Sequence, residues 1–136
     1  PRKAAAGREL ERAGPAPPRI LVVDDNRDAA ESLAMLLRTF GVEARVACSG
    51  AEALRAVDEW SPAAVFLDIG MPQMDGYEAA RRIREGHPIV RPMLIALTGW
   101  GQQEDRRKAR EAGFDRHIVK PAEISVLREL VDSLRG

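Results

Sequence analysis

The sequence predicts an α/β fold in which a five-stranded parallel sheet carries helices on both faces. From residue 19 onward, short apolar runs alternate five times with longer segments that have helical spacing. The clearest of these runs, residues 20–23, is continuously apolar, which is typical of a strand that is buried on both faces. Strands that alternate with helices in this way form a parallel sheet, and the right-handed crossovers leave few possible topologies.

The strand candidates are apolar runs that end at a polar residue or a turn signal. The first, 20–23, consists of isoleucine, leucine and two valines and ends at two acids. The remaining candidates are 43–47, 63–67, 93–97 and 118–119. The third run ends at Asp68 and the fourth at Thr98, and Pro121 breaks the chain after the fifth.

The helix candidates follow from apolar spacing and from start and stop signals. In the first, apolar residues recur up to Phe40 and Gly41 ends the helix; the second opens at Ser49 and Gly50 and closes before Pro62. The remaining three helix candidates are 77–84, 102–112 and 124–134.

The fourth helix candidate, 102–112, differs from the others because nearly all of its residues are polar. Only Ala109 and Ala112 are apolar in it. A helix with so little surface to bury is held weakly by packing. We therefore expect this helix to be the main moving part of the protein.

Composition limits the domain count and the kinds of partner. The 136 residues suit one folded domain, which we assign to 19–136, and the proline-rich segment 1–18 is predicted to be a flexible linker that continues from a longer polypeptide. Lys and Arg together number 21, as do Asp and Glu, so nothing favours a nucleic-acid partner. No apolar run is long enough to cross a bilayer, and we expect no direct membrane contact. Cys48 is the single cysteine, so a reducing cytoplasm is the expected location.

Polar side chains follow four of the five predicted strands. Asp24 and Asp25 follow the first, Asp68 the third, Thr98 the fourth and Lys120 the fifth. The carboxyl ends of parallel strands meet at one edge of a sheet, where ligands bind in open α/β folds. We therefore expect all five side chains to point into one cleft.

Three carboxylates in one cleft require positive charge nearby. Two unit charges about 4 Å apart repel each other by about 4 kcal/mol at an effective dielectric constant of about 20. Lys120 supplies one positive charge. Because no histidine or cysteine accompanies the acids, a hard divalent cation is expected as well, and Mg²⁺ fits a small, open set of oxygen ligands better than Ca²⁺ does.

An ionised aspartate beside Mg²⁺ indicates phosphoryl transfer. Aspartate is already anionic at neutral pH and needs no general base to act as a nucleophile, and its product is an aspartyl phosphate. Asp68 is the expected acceptor, because the third strand lies at the centre of such a sheet. Asp24 and Asp25 suit the metal, while Lys120 and the Thr98 hydroxyl would bind phosphoryl oxygens.

The chain from residue 19 onward resembles the receiver domain of two-component response regulators. The matching motifs are Ile-Leu-Val-Val-Asp-Asp-Asn at 20–26, Leu-Asp-Ile-Gly-Met-Pro-Gln-Met-Asp-Gly-Tyr at 67–77, Ala-Leu-Thr-Gly at 96–99 and Val-Lys-Pro at 119–121. The resemblance implies a flavodoxin-like (βα)5 fold with strand order 2-1-3-4-5. It also implies that Asp68 is the phosphoacceptor and that Asp24, Asp25, Asp68 and the Gly70 carbonyl bind Mg²⁺. Thr98 would be a switch residue, Lys120 would pair with the phosphate, and the Lys120–Pro121 peptide bond would be cis.

The sequence departs from the receiver pattern at the second switch position. His117 stands three residues before the lysine, where the family usually has tyrosine or phenylalanine. An imidazole can fill the same space, but its inward-facing form is expected to be sensitive to pH. Gly70 and Trp100 occupy positions that resemble those that tune the lifetime of the phosphate in the family.

The resemblance implies a partner and a signalling role. The donor would be a phosphohistidine on a histidine kinase or a histidine phosphotransfer domain, docked near Ala29, Ala30 and Pro121. The domain would act as a phosphoacceptor that catalyses its own phosphotransfer and autodephosphorylation, rather than as an enzyme, and as a monomer or weak dimer. The receiver at the C-terminus of a hybrid sensor histidine kinase is the favoured parentage, ahead of a receiver that is fused to another module.

Three alternatives remain at this point. The Asp24–Asp25 pair could cap the following helix instead of binding a metal. The protein could be a phosphatase of the haloacid dehalogenase type, although such enzymes carry their two acids on the first strand and Asn26 stands at the second of those positions. It could also be a degenerate receiver that serves as a scaffold.

Overall fold

The computed structural model describes residues 16–70, 76–87, 91–99 and 106–135, without the side chain of Arg106. The five strands are β1 (Arg19–Val23), β2 (Glu43–Ala47), β3 (Ala64–Asp68), β4 (Met93–Thr98) and β5 (Arg116–Val119). The five helices are α1 (Arg27–Arg38), α2 (Gly50–Trp60), α3 (Gly76–Gly86), α4 (Arg106–Ala112) and α5 (Ile124–Leu134). The expected alternation of strands and helices is confirmed.

All strand pairs are parallel, and the strand order is β2-β1-β3-β4-β5. The predicted flavodoxin-like topology is therefore confirmed. The order places β1 and β3 side by side in the middle of the sheet. Their carboxyl ends, with those of β4 and β5, form the edge at which the predicted site residues lie.

Two apolar layers cover the sheet, because successive side chains of a strand point to opposite faces. Leu21, Val23 and Leu67 face α2, α3 and α4. On the other face, Val22 and Phe66 pack against α1 and α5. The central strands are thus fully buried, which explains why their sequences are continuously apolar.

Three helices differ from the expectation or extend beyond the described residues, and one of them is α3, which runs over Gly76–Gly86 where 77–84 was predicted. Helix α1 ends at Arg38, two residues before Phe40, because the Thr39 amide donates to both Met35 and Leu36 carbonyls and the last turn tightens. Helix α4 is confirmed over Arg106–Ala112; its predicted first residues, 102–105, lie outside the described residues. Most of the predicted linker and Trp100 also lie outside them.

In the described part of the chain, none of the five helices combines the length and the apolarity that crossing a bilayer requires.

Candidate functional site

Asp24 is the first residue after β1 and is 3% exposed. Its backbone amide donates to the Ala47 carbonyl, which continues the pairing of β1 with β2 by one residue. Its Oδ1 accepts a hydrogen bond of 3.0 Å from the Asn26 amide. The carboxylate of Asp24 is therefore fixed by the turn that follows it and faces the edge of the sheet.

Asn26, and neither of the acids, caps helix α1. Its Oδ1 accepts a hydrogen bond of 3.1 Å from the Ala29 amide. The alternative in which Asp24 and Asp25 serve as the cap is thus wrong. Sequence reasoning gave Asn26 no role, although an asparagine directly before a helix is a recognised capping signal.

Replacing Asn26 with alanine is expected to weaken the site as well as the helix. Loss of the cap lowers the free energy of unfolding by about 1 kcal/mol, and it frees the turn whose amide holds Asp24. We expect Mg²⁺ affinity, measured by isothermal titration calorimetry, to fall severalfold. Serine also caps helices, so Asn26→Ser is the matched control and should retain both stability and affinity; equal loss in both variants would contradict this role.

Asp68 is the last residue of β3, and its side chain is 13% exposed. Its Oδ1 accepts a hydrogen bond of 2.9 Å from the Gly70 amide, while the Ile69 amide donates to Leu97 on β4. These contacts direct the carboxylate toward Asp24 on the neighbouring strand. The central position that the sequence predicts for Asp68 is thus present in the structure.

Lys120 connects the two buried acids from the far edge of the site. Its Nζ lies 2.8 Å from Asp24 Oδ2 and 3.4 Å from Asp68 Oδ2. The Lys120 amide donates to the Thr98 carbonyl at 2.7 Å, and the Lys120–Pro121 peptide bond is cis, as expected. The end of β5 therefore presents the ammonium group to both carboxylates.

The pKa values of these three groups reflect burial and mutual attraction. Burial is the largest influence on Asp24 and by itself raises its pKa, but the hydrogen bonds from Lys120 and the Asn26 amide outweigh it and the pKa is lowered. The pKa of Asp68 is raised, chiefly by burial. Burial works against the charged form of Lys120, but its hydrogen bond to Asp24 and the charge of Asp68 raise its pKa. Lys120 is consequently cationic and Asp24 anionic at neutral pH.

Three carboxylates form a group that could hold a metal ion. One oxygen from each of Asp24, Asp25 and Asp68 lies within 4.8 Å of the other two. Asp24 is buried, whereas Asp25 is exposed, so the group opens to solvent on one side. An all-oxygen, anionic and open set of ligands fits Mg²⁺, which keeps several waters when it binds.

Thr98 and His117 line the same cavity. The Thr98 side chain is 2% exposed and, with His117, lines a cavity of about 390 Å³ between α3, α4 and the sheet. His117 pairs in register with Ala96, two residues before Thr98, which places both side chains on the same face of the sheet. The structure therefore groups the two predicted switch residues with each other, and Asp24, Asp25, Asp68 and Lys120 in a separate cluster.

The predicted partner-docking residues are only partly at the surface. A groove of about 500 Å³ runs between α1 and the segment after β5, and Ala29 and Pro121 both line it. Ala30 is 1% exposed and packs in the core beneath α1, so its assignment to the docking surface is wrong. The residues of α1 that line the groove are Ala29, Ser32, Leu33 and Leu36, which form one stripe along the helix, and Ala30 lies outside that stripe.

Comparison with known proteins identifies the family. Residues 20–132 match the sequence model of the response regulator receiver domain. The chain belongs to the response regulator receiver domain family. The predicted recognition is thereby confirmed, and the chain is a receiver domain of two-component signalling, not a haloacid dehalogenase.

Two curated relatives of this receiver domain are longer proteins. It is 38% identical over 119 residues to hybrid signal transduction histidine kinase L of Dictyostelium discoideum, which covers 83% of this chain and 7% of that protein. It is 42% identical over 119 residues to the transcriptional regulatory protein PrrA of Mycobacterium tuberculosis, which covers 88% of this chain and 49% of PrrA. The receiver domain thus spans less than half of the length of these two relatives.

Solved structures of receiver domains share this fold. A response regulator structure from Chloroflexus aurantiacus is 34% identical and superimposes with a TM-score of 0.78, covering 87% of this chain and 97% of that one. The receiver domain of a Pseudomonas aeruginosa sensor histidine kinase is 29% identical, with a TM-score of 0.78 and coverage of 89% and 100%. That second structure carries a magnesium ion coordinated in its active-site cleft.

Proposed function

We propose that Asp68 of this receiver domain accepts a phosphoryl group from a phosphohistidine and that the product changes the surface of the domain. The observation that carries this proposal is the position of one ammonium group, Lys120, in contact with two buried acids at the edge of a parallel sheet. A purely structural ion pair needs only one carboxylate. A second buried carboxylate beside it, with the accessible Asp25 within ligand distance, supports a site for metal-assisted phosphoryl transfer.

The proposed transfer begins with attack of an Asp68 carboxylate oxygen on the phosphorus atom. The new oxygen–phosphorus bond forms as the phosphorus–nitrogen bond of the donor breaks, and the electron pair returns to the donor imidazole. Lys120 pairs with a phosphoryl oxygen and stabilises the charge that spreads over these oxygens. Asp24, Asp25, Asp68 and the Gly70 carbonyl would hold Mg²⁺, which supplies further neutralisation of that charge when bound. Asp68 thus acts as a phosphoacceptor, and we class the domain as a signalling protein, not an enzyme.

The proposed switch uses Thr98 and His117. The Thr98 hydroxyl would donate a hydrogen bond to a phosphoryl oxygen on Asp68, and its departure from the cavity would leave space that His117 occupies. The cavity that these two side chains already share supports this coupling. An imidazole has less bulk than the phenol or phenyl ring usual at this position, so the cavity would be filled less completely.

The proposed partner is a helical phosphohistidine protein, either a histidine kinase or a histidine phosphotransfer domain. The groove between α1 and the segment after β5 supports this choice, because Asp24 and Lys120 line it together with the apolar residues Leu33, Leu36 and Ala122. A docked apolar helix would therefore reach the acidic cluster.

The wider setting is also a proposal. The sequence similarity to a hybrid signal transduction histidine kinase supports a parent of that type. In that arrangement residues 1–18 would link the domain, 19–136, to an upstream module. We further propose a cytoplasmic location, a monomer or weak dimer, no nucleic-acid partner and no direct membrane contact.

The direct experiment is incubation with acetyl phosphate and Mg²⁺, followed by intact-mass spectrometry. The wild type is expected to gain one phosphoryl group, and Asp68→Asn is expected to gain none. Asp58→Asn, which removes an exposed acid on α2, is the matched control and should behave as the wild type. Incorporation by Asp68→Asn would refute the assignment of the acceptor, incorporation in the presence of EDTA would remove the metal from the mechanism, and no incorporation in the wild type would favour the scaffold alternative.

A further inference from the structure

Arg84, on the last turn of α3, joins three segments of the chain that are distant in sequence. Its Nη1 donates to the Pro92 carbonyl at 2.6 Å, just before β4. Its Nε and Nη2 donate to the Gly113 carbonyl at 3.0 and 2.8 Å, and Nη2 also lies 2.6 Å from Asp115 Oδ2. The Arg84 side chain is only 12% exposed. The guanidinium group therefore acts as a fixed, buried connection between α3, the start of β4 and the turn after α4.

Asp115 extends this connection into the sheet. Its Oδ2 accepts a hydrogen bond of 2.9 Å from the Leu94 amide, and its own amide donates to the Leu94 carbonyl at 2.8 Å. Hydrogen bonds to charged groups contribute more than neutral ones, and a planar guanidinium that donates to three separate acceptors also restricts geometry. The turn 113–115 is consequently held on one side by Arg84 and on the other by β4.

Gly113 permits this arrangement through its backbone and its lack of a side chain. Its φ is +105°, a conformation that other residues rarely adopt, and a Cβ there would lie 2.6 Å from Arg84 Cγ. The neighbouring Ala112 and Phe114 are both buried. The carboxyl end of α4 is therefore held by the packing of Ala112 and Phe114 and by the hydrogen bonds from Arg84 to the Gly113 carbonyl.

The described residues at the amino end of α4 are less buried. Arg107 and Lys108 are exposed there, and Lys108 Nζ lies 4.6 Å from the centre of the Tyr77 ring. A cation–π contact at an exposed site contributes only about 0.5–1 kcal/mol. Ala109 adds a small, partly buried contact with the core. Within the described part of α4, residues 107–109 are thus less buried than the carboxyl end.

We infer that Arg84 holds the carboxyl end of α4 in place, so that the helix pivots about Gly113 when the receiver is phosphorylated. This inference rests on the proposed function, in which Thr98 moves toward the phosphoryl group. Along the chain, Thr98 precedes the less buried residues 107–109 of α4, whereas Arg84 holds the other end of the helix. The change at the surface is then confined to the amino-terminal half of α4 and the adjoining part of α3 near Tyr77, which is where a partner that distinguishes the two states would bind.

The test compares backbone amide chemical shifts with and without beryllofluoride and Mg²⁺, which imitate the phosphoryl group, in wild type, Arg84→Met and Arg82→Met. In the wild type, shift changes at 113–116 are expected to be severalfold smaller than those at 107–110. In Arg84→Met the changes at 113–116 should approach those at 107–110. Arg82→Met, which removes an exposed arginine of the same helix, should retain the wild-type pattern.

Two results would overturn the inference: shift changes in the wild type that are as large at 113–116 as at 107–110, or an unchanged pattern in Arg84→Met. If Arg84→Met fails to fold by circular dichroism, Arg84→Lys and Asp115→Asn replace it, since each retains part of the network, and the same criteria apply. Intact mass after acetyl phosphate treatment is recorded for each variant. A wild type that gains no phosphoryl group contradicts the proposed function, whereas phosphorylation with a uniform shift of α4 contradicts only the pivot.

Discussion

Replacing Lys120 with methionine is expected to increase Mg²⁺ affinity and to decrease phosphoryl transfer. The Lys120 ammonium group contacts Asp24 and Asp68, so it competes with a cation for the same carboxylates. Its removal should raise Mg²⁺ affinity by about tenfold. The corresponding free energy is a modest fraction of the unscreened Coulomb energy, because the lysine side chain is 34% exposed and solvent screens its charge. The rate of phosphorylation by acetyl phosphate should fall by about 10²–10³, the usual effect of removing one donor to a charged transition state.

This prediction is distinctive because the Mg²⁺ affinity and the phosphorylation rate of Lys120→Met should change in opposite directions. Isothermal titration calorimetry gives the Mg²⁺ affinity, and time-resolved intact-mass spectrometry gives the rate. Lys108→Met removes the same charge from α4 and should change neither quantity by more than about twofold, in line with the small effects of exposed charges. A loss of both metal binding and phosphorylation in Lys120→Met would mean that the lysine only supports the local structure.

Replacing Gly76 with alanine is expected to disturb the phosphoacceptor although residue 76 carries no functional group. A Cβ at this first residue of α3 would lie 2.8 Å from the Asp68 carbonyl oxygen and 2.7 Å from Ile69 Cα. Both are backbone atoms and cannot rotate away, so either α3 or the end of β3 must shift. Overpacking of this kind costs about 1–3 kcal/mol. We expect that loss in urea-induced unfolding, together with slower phosphorylation of Asp68.

Gly86→Ala is the matched control for this prediction. Gly86 ends the same helix, and a Cβ there meets no atom within 4 Å. Since alanine favours helices over glycine, the free energy of unfolding should stay the same or rise by up to about 1 kcal/mol, and the phosphorylation rate should not change. If Gly76→Ala proves as benign as Gly86→Ala, the close approach of α3 to the acceptor does not position Asp68.

The sequence predicts the sheet and the acidic site well because both depend on local signals. A buried parallel strand requires a continuous apolar run, and the first polar residue after it marks the functional edge of the sheet. The positions of Asp24, Asp68 and Lys120 follow from this rule alone. Their mutual distances do not, because they depend on the order of the strands, which came from the resemblance to receiver domains.

Features that depend on long-range or directional contacts could not be predicted in the same way. The partners of Arg84 are mainly backbone carbonyls 8 and 29 residues away. Every residue has a backbone carbonyl, so the residue types do not show which carbonyls accept these hydrogen bonds. Ala29 and Ala30 are the same residue type, so the sequence does not show which side chain faces the groove and which faces the core. That depends on how α1 is rotated about its axis against the sheet. The attachment of α4 was expected to be weak throughout, whereas the structure fixes its carboxyl end through a residue of another helix.

The location of the phosphoryl group after reaction with acetyl phosphate and Mg²⁺ tests the central claim most directly. The phosphorylated wild-type protein can be reduced with borohydride, which converts an aspartyl phosphate to homoserine. The protein is then digested, and its peptides are sequenced by tandem mass spectrometry. We predict homoserine at position 68 and unmodified aspartate at positions 24 and 25. Modification at 24 or 25 with residue 68 intact would contradict the assignment of the acceptor and, with it, the mechanism that is built on Asp68.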